Sequence, residues 1–158
     1  MNKVRKFMNR KVVYLKPDNT IFDAAKVFSQ HHISGAPVVK NKKVVGVISI
    51  SDIAKYMSTK LGDIKPLSQE MVGISFFLFK MIETGKEYLE IKNEVKKISK
   101  VKVEDVMSKK IISIGPDKTL FEAANLMDKY DVNRLPVIKN EKLIGIISRA
   151  DLIRALVD

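Results

Sequence analysis

Hydrophobic positions along this chain fall into two alternating rhythms, and the same order of rhythms occurs twice. Apolar residues recur at helical spacing at Ile21, Ala24, Ala25 and Phe28, and again at Leu120, Ala123, Ala124 and Met127. Thr20 with Asp23 and Thr119 with Glu122 have the spacing of a capping box, in which hydroxyl and carboxylate satisfy the free amides at a helix start. The helices are expected to stop before Ile33 and Val132. Next come two β-rich runs, Ala36–Lys40 with Lys43–Ile48 and Leu135–Lys139 with Lys142–Ile147. Asn41-Lys42 and Asn140-Glu141 join them, and Asn tolerates the left-handed backbone that a two-residue hairpin turn needs. A second helix is predicted from near Ser51 or Ala150, and short strands at Val12–Leu15 and Ile111–Ile114 open each copy before Pro17-Asp18 and Pro116-Asp117 turn the chain. The unit reads β-α-β-β-α.

The repetition is literal. Residues 7–57 align with 106–156 without a gap, and 17 of 51 positions are identical. Two copies of one structural unit are expected to pack on each other, so that sites occur as a pseudo-symmetric pair. The predicted organisation is a first unit at 7–57, a helical linker or insert at 58–102 and a second unit at 103–158. Within the insert, Tyr88, Ile91, Val95 and Ile98 form an apolar stripe suited to covering a unit or a partner. Phe76-Phe77-Leu78-Phe79 is the alternative, a contact with a membrane surface.

Composition narrows the function classes. The 158 residues suit one compact domain or two small fused ones, and a 46% hydrophobic content supports a core. There is no cysteine, which excludes thiol catalysis, cysteine zinc sites and disulfides and fits a cytoplasmic protein. The longest apolar run, Met71–Phe79, is far short of a membrane span. A formal charge of +11 attracts anions, which keeps nucleotides and nucleic acid among the candidate partners. No Ser-His-Asp set or carboxylate cluster declares itself, so an enzyme is not expected. Adjacent His31-His32 do not share a helical face and read as a helix end, with phosphate contact by His31 the alternative.

Candidate chemistry lies where a strand runs into a helix: Gly46-Val47-Ile48-Ser49-Ile50-Ser51-Asp52 and Gly145-Ile146-Ile147-Ser148-Arg149-Ala150-Asp151. Amides at a helix start favour anions. An ionised Asp accepts hydrogen bonds through two oxygens and so matches the paired hydroxyls of a ribose. Ser-x-x-Asp also satisfies the capping box without any ligand, and both roles can hold together. The glycines permit a tight bend or a close approach. The copies diverge at two positions: Arg134 stands where copy one has Gly35, and Arg149 where it has Ile50. Guanidinium recognises phosphate by charge and bidentate geometry, so copy two is the expected site of a phosphorylated ligand.

These motifs resemble the CBS domain in its tandem form, the Bateman module. The residues that carry the resemblance are Pro-Asp-x-Thr before an Ala-Ala helix, a loop ending Pro-Val, and Gly-hydrophobic-hydrophobic-Ser-x-x-Asp. Val132-Asn133-Arg134-Leu135-Pro136 and Ser49-Ile50-Ser51-Asp52 are similar to segments of the γ subunit of AMP-activated protein kinase. The resemblance implies an α/β fold of the α+β type, with two pseudo-twofold units and clefts between them. It implies a regulatory module that binds AMP, ADP, ATP, S-adenosylmethionine or methylthioadenosine, needs no cofactor, forms a homodimer and signals to a regulated protein. Carried over, Asp52 and Asp151 hold ribose hydroxyls, while Ser49, Ser51 and Ser148 support the ribose-phosphate end. Arg134 contacts phosphate, and Val13, Ile112, Ala36 and Leu135 contact the base. Asn133 departs from a frequent histidine of the kinase subunit, and Gly35 removes a basic group from copy one. The competing functions are a structural dimerisation or docking subunit with degenerate clefts, and nucleic-acid binding by the basic surface.

Overall fold

The computed structural model describes residues 2–60, residue 93 and residues 95–157. Copy one contains α1 (Val4–Phe7), α2 (Ile21–His31), β1 (Gly35–Lys40), β2 (Lys43–Ser49) and α3 (Ile50–Lys60). Copy two repeats them as α4 (Val103–Val106), α5 (Leu120–Tyr130), β3 (Arg134–Lys139), β4 (Lys142–Ser148) and α6 (Arg149–Arg154). The two hairpins form separate two-stranded antiparallel sheets.

Local chemistry sets the ends of these elements as the sequence predicts. Thr20 and Thr119 cap α2 and α5 in complete capping boxes with Asp23 and Glu122. Both helices stop at a left-handed residue, His32 (φ 52°) or Asp131 (φ 50°). The hairpin turns place Asn41 and Lys42, and Asn140 and Glu141, at positive φ, as a type I′ turn requires. Lys43 of one turn reaches Glu141 of the other at 3.4 Å.

The predicted opening strands are not strands. Each is reduced to a single parallel bridge, Leu15 to Val38 and Ile114 to Val137. Leu15 donates its amide to the Pro37 carbonyl at 3.0 Å and accepts from the Val39 amide at 2.8 Å. Extending this ladder backward would need a donor at Pro37, and extending it forward would need one at Pro17. Neither proline has an N–H, and Pro136 and Pro116 impose the same limit on copy two.

The short helices α1 and α4 do not emerge from the hydrophobic pattern, and they exchange between the copies. Val4 and Met8 are buried with Ile114, Ala123, Met127, Leu135, Val137 and Ile147 in the core of copy two. Val103 is buried with Leu15, Ile21, Ala24, Phe28, Val38 and Ile48 in the core of copy one, with Met107 packed against it. The Val4 amide donates to the Lys118 carbonyl at 2.9 Å, and the Val103 amide to the Asn19 carbonyl at 2.7 Å. Arg5 of α1 is ion-paired with Asp117. Each unit is thus completed by the segment that leads into the other. Gly46 and Gly145 admit these segments: a methyl group on them would stand 2.5 Å from the Met107 sulfur and 2.6 Å from that of Met8. The glycines serve close approach, one of the two roles expected of them.

The insert's apolar stripe is described only at its end, where Ile98 is buried in the copy-one core and Val95 packs against it. Tyr88, Ile91 and Phe76–Phe79 lie outside the described residues. No helix among the described residues is long and apolar enough to cross a membrane.

Candidate ligand cleft

The two Ser-x-x-Asp segments form matching turns. The Ser49 amide and hydroxyl donate to Oδ2 of Asp52 at 2.8 and 3.0 Å, and the Asp52 amide returns a bond to the Ser49 hydroxyl at 3.3 Å. In copy two, Ser148 donates to Oδ2 of Asp151 at 2.8 and 2.7 Å, and the Asp151 amide returns the bond at 3.3 Å. The capping role is therefore real in both turns. It uses one carboxylate oxygen and leaves the other to distinguish the copies. Oδ1 of Asp151 pairs with Arg154 at 3.4 Å. The equivalent position in copy one is Lys55, and among the described residues Oδ1 of Asp52 has no partner.

Asp52 opens onto a cleft of about 630 Å³ built by both copies. The end of β2 and the start of α3 supply Val47, Ile48, Ser49, Ile50, Ser51 and Asp52. Ser34 and Ala36 come from the start of β1, and Asp131, Val132, Asn133 and Arg134 from the approach to β3. The segment after α4 adds Ser108, Lys110 and Ile112. It is held against β2 by reciprocal bonds between the Val47 and Ser108 backbones at 3.0 and 2.9 Å. The lining combines apolar Ala36, Val47 and Ile112 with the carboxylates of Asp52 and Asp131, serine hydroxyls and the cations Lys110 and Arg134.

Of the sequence candidates, Ser49, Ser51, Asp52, Ala36, Ile112 and Arg134 meet in this cleft. Ser148, Asp151, Val13 and Leu135 do not line it, and Leu135 is fully buried. Arg149 is also elsewhere, donating to Asp128 at 2.8 Å and to the Met127 carbonyl at 3.2 Å beside an apolar groove. Because the cleft is assembled across the pseudo-twofold, Arg134 of copy two lines the same cleft as Asp52 of copy one. Sequence reading missed Ser34, Ser108 and Lys110 as cleft residues; the identity of Lys11 and Lys110 in the repeat alignment was the available signal for the last.

Arg134 dominates the electrostatics. Burial lowers its pKa from the ordinary arginine value, which marks a cation stripped of part of its water. Its Nη2 donates to the Ser34 hydroxyl. No carboxylate pairs with it among the described residues. Arginine stays charged near neutral pH, so this half-buried guanidinium is a site for an anion. No cluster of three or more His, Asp and Glu side chains suited to a metal exists among the described residues. His31 is exposed and does not line the cleft.

Comparison with known proteins agrees with this architecture. The chain is 39% identical over 150 residues to an uncharacterized protein of Methanocaldococcus jannaschii, covering 94% of this chain and 88% of that one. Two further relatives from that organism are longer, and the chain spans 37% and 44% of them. The structure of CBSX2 in complex with AMP, a protein known from Arabidopsis thaliana, superposes with a TM-score of 0.68 at 22% identity, covering 99% of this chain and 97% of that one. The CBS domain pair of protein MJ0100 in complex with 5′-methylthioadenosine and S-adenosyl-L-methionine gives 0.67 at 19% identity, covering 99% and 97%. The CBS domain family model matches residues 4–59 and again residues 103–158. With both halves matched and the two-unit fold in place, the chain belongs to the CBS domain family, as a tandem pair.

Proposed function

We propose that this protein is a regulatory module that binds a phosphorylated adenosine ligand in the Asp52 cleft. The observation that carries the reading is one cleft with a carboxylate oxygen at Asp52 and a half-buried cation at Arg134, neither with an ionic partner among the described residues. Asp52 accepts from the two ribose hydroxyls while its other oxygen keeps the cap. Arg134 takes the phosphate, with Lys110 adding charge, and Ser49 and Ser51 supply hydroxyls near the helix start. Ala36, Val47 and Ile112 offer the base an apolar wall. AMP in CBSX2 supports the ligand class. The methylthioadenosine and S-adenosylmethionine of MJ0100 mark the alternative within it, which would leave Arg134 without an anion.

Because both copies line the cleft, a ligand there bridges them. It shifts the population between their arrangements only by its difference in affinity for the two. A thermal-shift screen with AMP, ATP, S-adenosylmethionine, methylthioadenosine, GTP and a short duplex DNA tests the reading. A ligand at a hundred times its dissociation constant stabilises the fold by about 2.7 kcal/mol. AMP or ATP raising Tm, with GTP inert, is the expected result. A rise with DNA alone would transfer the function to the basic surface.

Docking on a partner is the second reading. It is favoured by the apolar groove of about 620 Å³ around Phe121, Leu152, Ile153 and Leu156, where Leu156 is 80% exposed. We assign this face to a homodimer contact, which sedimentation of wild type and Leu156→Glu tests. A monomeric wild type rejects it.

A further inference from the structure

We infer that Gly35 and Ser34 of copy one are positioning residues for Arg134 of copy two, and that this arrangement gives the chain one phosphate-reading cleft instead of two. The inference rests on the adenosine-ligand reading and specifies how the same site selects its ligand.

Gly35 and Arg134 are equivalent in the repeat, and they hold equivalent places in their hairpins. Gly35 pairs with Ser49, and Arg134 pairs with Ser148. Both begin a first hairpin strand, one on each side of the pseudo-twofold. The guanidinium of Arg134 lies over Gly35: a methyl group there would stand 1.9 Å from Nη1 of Arg134 and 2.8 Å from the Ile48 carbonyl oxygen. Gly35 does not have the positive φ that alone would call for glycine. What the position requires is empty space, bounded by the Ile48 carbonyl and occupied by Arg134. Ser34, the preceding residue, accepts the Nη2 hydrogen bond and lines the same cleft. These two contacts hold the cation in the cleft that Asp52 also lines.

Among the described residues, the other half lacks this device. The position related to Arg134 that would serve Asp151 is Gly35, which brings no charge. Oδ1 of Asp151 already pairs with Arg154. Two arginines, one at each position, would compete for the space at the axis. A glycine on one side and an arginine on the other resolve the conflict and commit the phosphate site to the Asp52 cleft.

The test compares AMP with adenosine, since their affinity ratio isolates the phosphate contact. Wild type is expected to favour AMP by about tenfold or more, as a charge-assisted contact implies. Arg134→Ala brings the ratio near one. Gly35→Ala does the same by displacing the guanidinium, and Gly35→Ala with Arg134→Ala is no worse than Arg134→Ala alone, as coupled residues require. Ser34→Ala, which leaves the backbone near Ile48 untouched, lowers the ratio by about threefold for one lost hydrogen bond. A retained AMP preference in both Gly35→Ala and Ser34→Ala overturns the inference.

The Arg134 Nη–H resonances in low-temperature nitrogen-15 spectra give a readout that needs no ligand. The Nη2–H that donates to Ser34 is expected to be protected from exchange in wild type and unprotected in Gly35→Ala. An unchanged signal in that variant also overturns the inference. If wild type binds neither AMP nor adenosine, the adenosine reading fails on its own, and the Nη–H signal still decides the positioning.

Discussion

The turns at Ser49–Asp52 and Ser148–Asp151 are built alike and left in different states. In each, one Asp oxygen closes a cap with its serine, at 2.8 Å from the serine amide. In copy two the other oxygen is paired with Arg154. In copy one it has no partner among the described residues and faces a cleft with an unpaired arginine. The features present in both turns make the helix cap, and those present in one distinguish the cleft proposed to bind the ligand. A repeat alignment alone does not separate the two: Ser49, Asp52 and Lys110 are identical in both copies and line the cleft, while divergent Arg149 lies outside it.

The largest effect expected is on the feature the halves share. Gly46→Val and Gly145→Val drive a side chain into Met107 or Met8, and both should destabilise by at least about 1–3 kcal/mol in denaturant unfolding. A large loss in only one variant would show that the exchanged segments are not equivalent. Next, Asp52→Ala and Asp151→Ala each remove the carboxylate of a helix cap, and without ligand each should cost about 0.5–1 kcal/mol. Unequal losses would mean that the turns differ in structure as well as in ligand competence. Arg154→Ala frees Oδ1 of Asp151 from an exposed ion pair, so its thermal stability should stay within about 0.5 kcal/mol of wild type.

The smallest effect separates the helices α2 and α5. Hydrogen bonding from Lys118, then from the Thr119 amide, lowers the pKa of Glu122 to about 2. Its folded value lies below the ordinary carboxylate value of 4.5, so its contribution is present above that pH and is lost as pH falls through about 2. A carbon-13 titration should place the Glu122 midpoint near 2, and Lys118→Ala should raise it. Copy one has Asn19 in place of Lys118. An unchanged midpoint in Lys118→Ala would remove the lysine as the cause.

Much of the fold was legible because local chemistry writes it. The Thr-x-x-Asp/Glu boxes, the Asn hairpin turns and the helical spacing each act over a few residues, and each is found where the sequence puts it. The opening strands failed because the donors they lack fall at Pro17 and Pro116 at their own ends and at Pro37 and Pro136 on the facing strands, and only the register reveals the latter. Exchange of α1 and α4 was hidden for a related reason. A four-residue helix has too few positions to show a period, and nothing local states which core will receive Val4 or Val103. The site was legible as a set of residue types. Asp52, Ser49, Ser51 and Arg134 stand out by type, but that Arg134 of copy two shares a cleft with Asp52 of copy one is not visible in sequence, because the cleft crosses the axis. Arg149 shows the same limit: its charge is visible in sequence, and its commitment to Asp128 is not.

The most direct measurement is a calorimetric titration of AMP into wild type, Asp52→Ala and Asp151→Ala. One AMP per chain is expected in wild type and in Asp151→Ala, at affinities within about threefold of each other. Asp52→Ala should lose about tenfold or more, because hydrogen bonds to a charged group are worth about 1.5–3 kcal/mol. Equal binding in wild type and Asp52→Ala, or a loss confined to Asp151→Ala, would contradict the assignment of the ligand to the Asp52 cleft.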